Sequence, residues 1–273
     1  MTSTLVDLPD AVLWTSRTWT DFAKLPARQR ASTLIVLPLF GFGDWGLGRP
    51  IDLEEQLGVA VLRQAVEKPG KPAPELLVMP PLRFVLGPYV HNLFGIDFET
   101  ALELLHEIAT SVKAAGFRKL VLFTTSPWNE ELIEAAGLTM RVRLGIQAYQ
   151  ISLAALGLDL HPLRASDRSA VQLAATACTH RAPNDAAMSV EAIALREFRP
   201  GNVEQPGPVK LTLPLEEAIA AGEKLMVTAG RKFSQLCLEI ARKAALPNEG
   251  RIGTRRAPDA SRAAAVLKTA RKK

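Results

Sequence analysis

Short apolar runs alternate along this chain with longer stretches in which apolar residues recur every three or four positions. Thr33-Leu34-Ile35-Val36-Leu37 is β-rich and meets Pro38, which predicts a buried strand ending there. Leu53 to Val66 follows as a helix, with Leu53, Leu57, Val61, Leu62 and Ala65 on one stripe. Leu76 to Met79 predicts a second short strand, stopped by Pro80-Pro81. Asp97 is placed to cap a helix over about 100–115, with Ala101, Leu104, Leu105, Ile108 and Val112 inward and Gly116 at its C-terminal end. Lys119 to Thr124 is the clearest strand pattern, followed by a short helix over 129–136 and a strand between Met140 and Ile151. A long helix spans about 214–246, with Leu225, Ala229, Phe233, Leu236 and Ile240 on one stripe and Pro247 to Gly250 behind it. This alternation predicts an α/β fold: a single domain with a mostly parallel sheet and helices on both faces.

The 273 residues are 48% hydrophobic and 22% charged, which suits a packed core and excludes a disordered polymer. The net charge of +5 is unevenly placed. Residues 250–273 hold eight Lys and Arg against one acid, Asp259, while residues 1–249 sum to −2. The expected organisation is one domain over 1–249 and a basic, flexible tail over 250–273. The tail has no aromatic residue, so its expected role is solubilising, with electrostatic contact to nucleic acid as the alternative. No apolar run approaches the roughly 18–20 residues of a membrane span, and the first ten residues lack a basic then hydrophobic pattern. Cys178 and Cys237 form no metal or redox spacing and are expected as reduced core residues. A cytoplasmic protein without membrane contact is the expectation.

Candidate chemistry is sparse. Gly41-Phe42-Gly43-Asp44-Trp45-Gly46 fits a dinucleotide fingerprint, but the following helix starts about seven residues too late and the second strand ends without a ribose-binding acid. A glycine-rich turn is the better account. None of His91, His106, His161 and His180 is spaced with another His or Cys as metal ligands are. Ser126 follows the clearest strand, at the end where α/β folds place sites, yet Thr-Thr-Ser-Pro-Trp-Asn is not a nucleophile elbow. Glu54-Glu55, Glu130-Glu131 and Glu216-Glu217 lie in first helical turns, where the helix dipole accounts for them. Trp45 and Trp128 both follow strand ends and could project into one cleft.

The order of segments resembles the creatininase (creatinine amidohydrolase) family over about residues 10–246. The resemblance rests on Leu37-Pro38-Leu39-Phe40-Gly41, then Gly46 and Arg49-Pro50-Ile51, then Met79-Pro80-Pro81-Leu82. It continues through Phe123-Thr124-Thr125-Ser126-Pro127-Trp128-Asn129 and closes on Glu217-Ala218 to Gly222-Glu223-Lys224. It implies an amidohydrolase ancestry with a divalent metal site and ring-like oligomers. Residue by residue, the family's ligand positions fall on Gly43, Trp45, Glu54, Ser126 and Trp128, of which Glu54 alone could coordinate. The Zn/Mn site is therefore expected to be lost, with no cofactor. Thr179 to Asp185 matches a later family motif and puts His180 on its histidine and Asp185 on its acid.

Two functions follow. The first is a creatininase-like pseudoenzyme, a non-catalytic binding or structural subunit that forms a homo-oligomer or joins a catalytic partner. The alternative is an amidohydrolase acting on C–N bonds of a cyclic or linear amide through a relocated or metal-free site. Its catalytic candidates are His180, Asp185 and Ser126, in a cleft bordered by Trp45, Trp128, Glu54 and His91.

Overall fold

A computed structural model of the chain describes residues 8–43, 45, 49–67, 75–87, 92–93, 95–161, 169–181 and 213–244. Four parallel strands form the centre in the order Leu76–Val78 (β3), Leu34–Phe40 (β1), Lys119–Thr124 (β8) and Gln147–Ser152 (β9). Leu82–Arg83 (β4) also pairs with β1, beyond the end of β3. Two-residue ladders join Phe42–Gly43 (β2) to Asn92–Leu93 (β6), and Val85–Leu86 (β5) to Gly95–Ile96 (β7).

Both sheet faces are covered, as the continuous apolar strands require. One face buries Leu34, Val36, Phe40, Val121, Phe123 and Ile151 against Leu53–Glu67 (α3) and Leu215–Arg242, together with Ser169–Thr179. The other buries Ile35, Leu37, Leu39, Leu120, Leu122 and Ala148 against Phe98–Ala114 (α4) and Glu130–Thr139 (α5). The alternation along β1 and β8 is the two-residue period of a strand read on its two faces. Two short helices, Trp19–Lys24 (α1) and Ala27–Ser32 (α2), lead into β1, and α1 begins with a capping box between Thr18 and Asp21. The 169–179 and 215–242 helices are α6 and α7 below. No helix of the described residues is long and apolar enough to cross a membrane.

Several expectations hold closely. Asp97 Oδ1 accepts from Thr100 N at 2.9 Å, and Gly116 takes φ +94° where α4 ends. Others need correction. The first strand does not stop at Pro38 but runs to Phe40, with Pro38 paired to Phe123. Met79 N bonds Val36 O and Phe84 N bonds Phe40 O, so the side of β1 that lacks a donor at Pro38 faces the gap between β3 and β4. The missing donor thus leaves no ladder bond unmade. Met140–Leu144 is not strand; it is a π-helical turn extending α5 to Gly145, whose φ is +62°, and β9 begins at Gln147. Leu104 is 40% exposed, and Ala109 takes its place on the inward stripe of α4. Helix α3 is no one-sided helix. Glu54, Glu55, Gln56 and Gly58 are buried along with its apolar stripe, because the sheet lies beneath it and α6 and α7 lie against it. The tail at 250–273, His91 and Asp185 lie outside the described residues.

Candidate functional site

The carboxyl ends of β1 and β8 meet the first turn of α3. Gly58 sets how closely: a Cβ there would stand 2.2 Å from the Phe40 ring and 2.9 Å from Thr125 Cγ2. Only a glycine lets the helix backbone ride this low over β1 and β8. Glu54, one turn earlier, is thereby pressed into the strand ends and has no exposed surface. Its Oε2 accepts from Gly41 N at 2.8 Å. A Cβ at Gly41 would lie 2.5 Å from that oxygen, so this glycine of the turn admits a carboxylate. The glycine-rich sequence that fits a dinucleotide fingerprint thus presents its backbone N–H to a side chain of its own chain.

Three more polar atoms crowd the same spot. The Ser126 hydroxyl and the Trp45 indole lie close enough to Glu54 to favour its ionised form, yet neither completes a well-formed hydrogen bond. Glu54 Oε1, Ser126 Oγ, Trp45 Nε1 and the neighbouring Thr125 Oγ1 are all buried without a hydrogen-bond partner among the described residues. Burial dominates the balance and pushes the Glu54 carboxyl up from 4.5 to about 7, against the opposing pull of Gly41, Ser126 and Trp45. Glu55 turns the other way and holds Arg83 through two 2.7 Å hydrogen bonds. Two adjacent glutamates expected to serve the helix dipole therefore have separate duties.

The walls of the site are tied by residues that sequence reasoning passed over. Asn129, wholly buried, donates from Nδ2 to Phe84 O at 2.9 Å and accepts at Oδ1 from Leu86 N at 3.1 Å. It acts as an extra strand edge for residues 84–86. Thr124 Oγ1 donates to Leu39 O and accepts from Ser126 N, which fixes the turn out of β8. Arg49 is 5% exposed and faces the C-terminal part of α6 without a carboxylate partner among the described residues. Its two terminal nitrogens donate to Thr179 Oγ1, Arg181 O, Thr176 Oγ1, and both the backbone and side-chain oxygens of Gln172. Burial lowers this guanidinium to about 10, and the end of the helix dipole favours its charge. The sequence does mark Arg49 itself: an arginine before a proline at the mouth of a helix.

Of the remaining candidates, His180, Trp45 and Trp128 are described. His180 is exposed and takes φ +52°, its N–H bonded to Thr176 O at 2.8 Å, so its backbone ends α6 in a left-handed cap. Among the described residues, no hydrogen bond joins Ser126 Oγ to His180. Trp45 turns inward against the core and Glu54, whereas Trp128 stands against His161 with ring centroids 5.1 Å apart. Both cysteines are unpaired, and burial pushes each thiol up to about 12.

No protein-family profile matches the sequence, and no curated protein matches it at the level of sequence. Solved structures do match in fold. A putative creatinine amidohydrolase from Bacteroides fragilis NCTC 9343 superposes with a TM-score of 0.59 at 16% identity, over 88% of this chain and 100% of that one. A creatinine amidohydrolase (creatininase) gives 0.54 at 17% identity over 86% and 100%. A mutant creatininase of Zn–Zn type gives 0.54 at 16% over 85% and 99%. A paired metal does not suit the residues found here. The five positions that the sequence resemblance assigns to ligands are all described, and they supply one carboxylate and one hydroxyl. One oxygen of that carboxylate is engaged by Gly41, and the indole beside it offers a donor where a cation needs an acceptor. Among the described residues, no three His, Cys, Asp or Glu side chains come together. At these identities the likeness is one of architecture, and it shows that the chain carries the creatininase fold.

Proposed function

We propose that this chain is a creatininase-fold protein without metal-dependent catalysis, working as a binding or structural subunit. The observation that carries the reading is the closed cluster of Glu54, Ser126 and Trp45, which puts a buried carboxyl and an indole where a hydrolase of this fold needs solvent-accessible ligands. Its partner would be a second copy of the chain or a catalytic subunit, and a small amide would be its ligand class if the cleft binds anything. The two inert, unpaired thiols agree with a reducing compartment such as the cytoplasm. The competing amidohydrolase reading needs a nucleophile and base in reach of one another, and a wholly buried Ser126 with an exposed His180 speaks for the first reading. The test is hydrolysis of creatinine and a panel of cyclic and linear amides by the purified chain, with added Zn or Mn. No turnover above the buffer rate is expected. Turnover that disappears in Glu54→Gln overturns the proposal.

A further inference from the structure

Helix α7 is held from two sides by close glycine contacts. Gly230 meets α3, where a Cβ would stand 2.5 Å from Gln64 Cβ, and Gly222 meets α6, where a Cβ would stand 2.0 Å from Leu173 O. A third side of the helix faces outward. There, between α6 and the N-terminal half of α7, lies a groove of about 560 Å³. Leu173 and Leu225, both partly buried, give it an apolar floor, and Leu213, 42% exposed, lines it just before the helix begins. Its polar lining is one acid, Glu217, one base, Lys224, and Thr228, with Ala220 and Ala221 between the two charges.

The lining has an order. Glu217, Ala220, Ala221, Lys224 and Thr228 recur every three or four residues and so share one stripe of α7. Glu217 and Lys224 stand equally far on either side of the point between Ala220 and Ala221, and so do Leu213 and Thr228. A twofold rotation about that point lays a second α7 antiparallel on the first and sets Glu217 of each copy beside Lys224 of the other. It also sets Leu213 against Thr228, and alanine on alanine where the helices cross, so only methyl groups hold the axes apart. Within one chain Glu217 and Lys224 cannot pair, because two helical turns, about 10 Å, separate them. Neither side chain makes a hydrogen bond or ion pair among the described residues. The helix dipole accounts for Glu217 in the first turn but not for Lys224 in mid-helix.

We propose that this groove is the face on which a second copy of the chain docks, as an antiparallel α7–α7 pair about a twofold axis. The proposal rests on the reading of the chain as a binding or structural subunit and supplies that subunit's partner. One acid and one base leave the groove without net charge, so it offers no attraction to a polyanion or an anionic bilayer, whereas its twofold order of charge and size suits a copy of itself. A contact built on one pair of helices is small, so the dimer is expected to be reversible and of micromolar affinity.

The test is sedimentation velocity of the full chain from about 1 to 200 µM, over which the wild type is expected to pass from monomer to dimer. Glu217→Lys and Lys224→Glu each turn both ion pairs of the dimer into like-charge contacts, and each should weaken association at least about tenfold. Both positions are exposed, and circular dichroism and thermal melting verify that the variants fold. An equimolar mixture of the two single variants brings opposite charges together again, and it should dimerise about as well as the wild type although neither protein does so alone. Ala220→Trp, also at an exposed position, should abolish the dimer by keeping the helices apart. A wild type that stays monomeric at about 200 µM overturns the proposal and leaves the groove to another part of the chain or another partner. A dimer that both folded single variants retain unchanged overturns it too, as does a mixture that fails to restore association. Amide turnover by the purified chain would overturn the subunit reading whatever the state of association, so the two failures are told apart.

Discussion

Replacing Glu54 by glutamine keeps the shape of the side chain and removes its ability to ionise. The amide oxygen can still accept from Gly41 N, and the NH2 group can face Ser126. In the unfolded chain the carboxyl titrates at its ordinary 4.5, and in the folded chain at about 7. Between those values the native state holds a proton that the unfolded state has already released. The stability that Glu54 contributes is thus fully present below about 4.5, declines as pH rises through about 7, and is level beyond. At 1.36 kcal/mol per pK unit, the ionised carboxylate costs the fold about 3 kcal/mol at alkaline pH. Glutamine has no such pH dependence. The advantage of Glu54→Gln over the wild type should therefore grow by about 2.5 kcal/mol between about pH 5 and pH 8. Urea denaturation of both proteins across that range measures it, and taking the difference cancels every other titrating group. A difference that stays flat with pH, or that shrinks, refutes the claim that Glu54 is an enclosed, uncompensated carboxyl.

Three further substitutions probe how the cluster is held. Gly58→Ala adds a methyl group against the Phe40 ring, and despite the better helix propensity of alanine it should destabilise by about 1–3 kcal/mol in urea melts. Asn129→Ala strands Phe84 O and Leu86 N in the interior and should cost about 2–4 kcal/mol, with faster amide exchange at Leu86 as the local signature. His180→Gly relieves a left-handed backbone at the end of α6 and should raise stability by about 0.5–1 kcal/mol; a loss instead would mean that the imidazole makes interactions worth more than the strain.

Much of this architecture is legible in the sequence, for identifiable reasons. Strands buried on both faces read as unbroken aliphatic runs, so 34–37 and 119–124 stand out. Asp97 and Gly116 mark α4 through local capping chemistry. The misreadings come where tertiary context decides. Whether Pro38 ends a strand depends on the gap between two partners about forty residues away. The π-helical turn at Met140–Leu144 carries the same apolar and basic residues that a strand would. At the site, the ligand positions could be compared one by one in the sequence, because each is a residue type. The closure of the cluster could not, since it depends on Gly58 lowering a helix onto Gly41. The partners of Arg49 and Asn129 were invisible for a related reason: most are backbone carbonyls and amides or side chains distant in the chain, which carry no mark in the sequence.

The central claim is that the fold is retained while its metal chemistry is not. The most direct measurement is the metal content of the purified full chain by inductively coupled plasma mass spectrometry, after incubation with excess Zn or Mn and gel filtration. The account predicts well under about 0.2 ion per chain, because one buried carboxylate and one hydroxyl cannot match the several donors a tight divalent site requires. About one or two tightly held ions per chain, lost in Glu54→Gln, would contradict it.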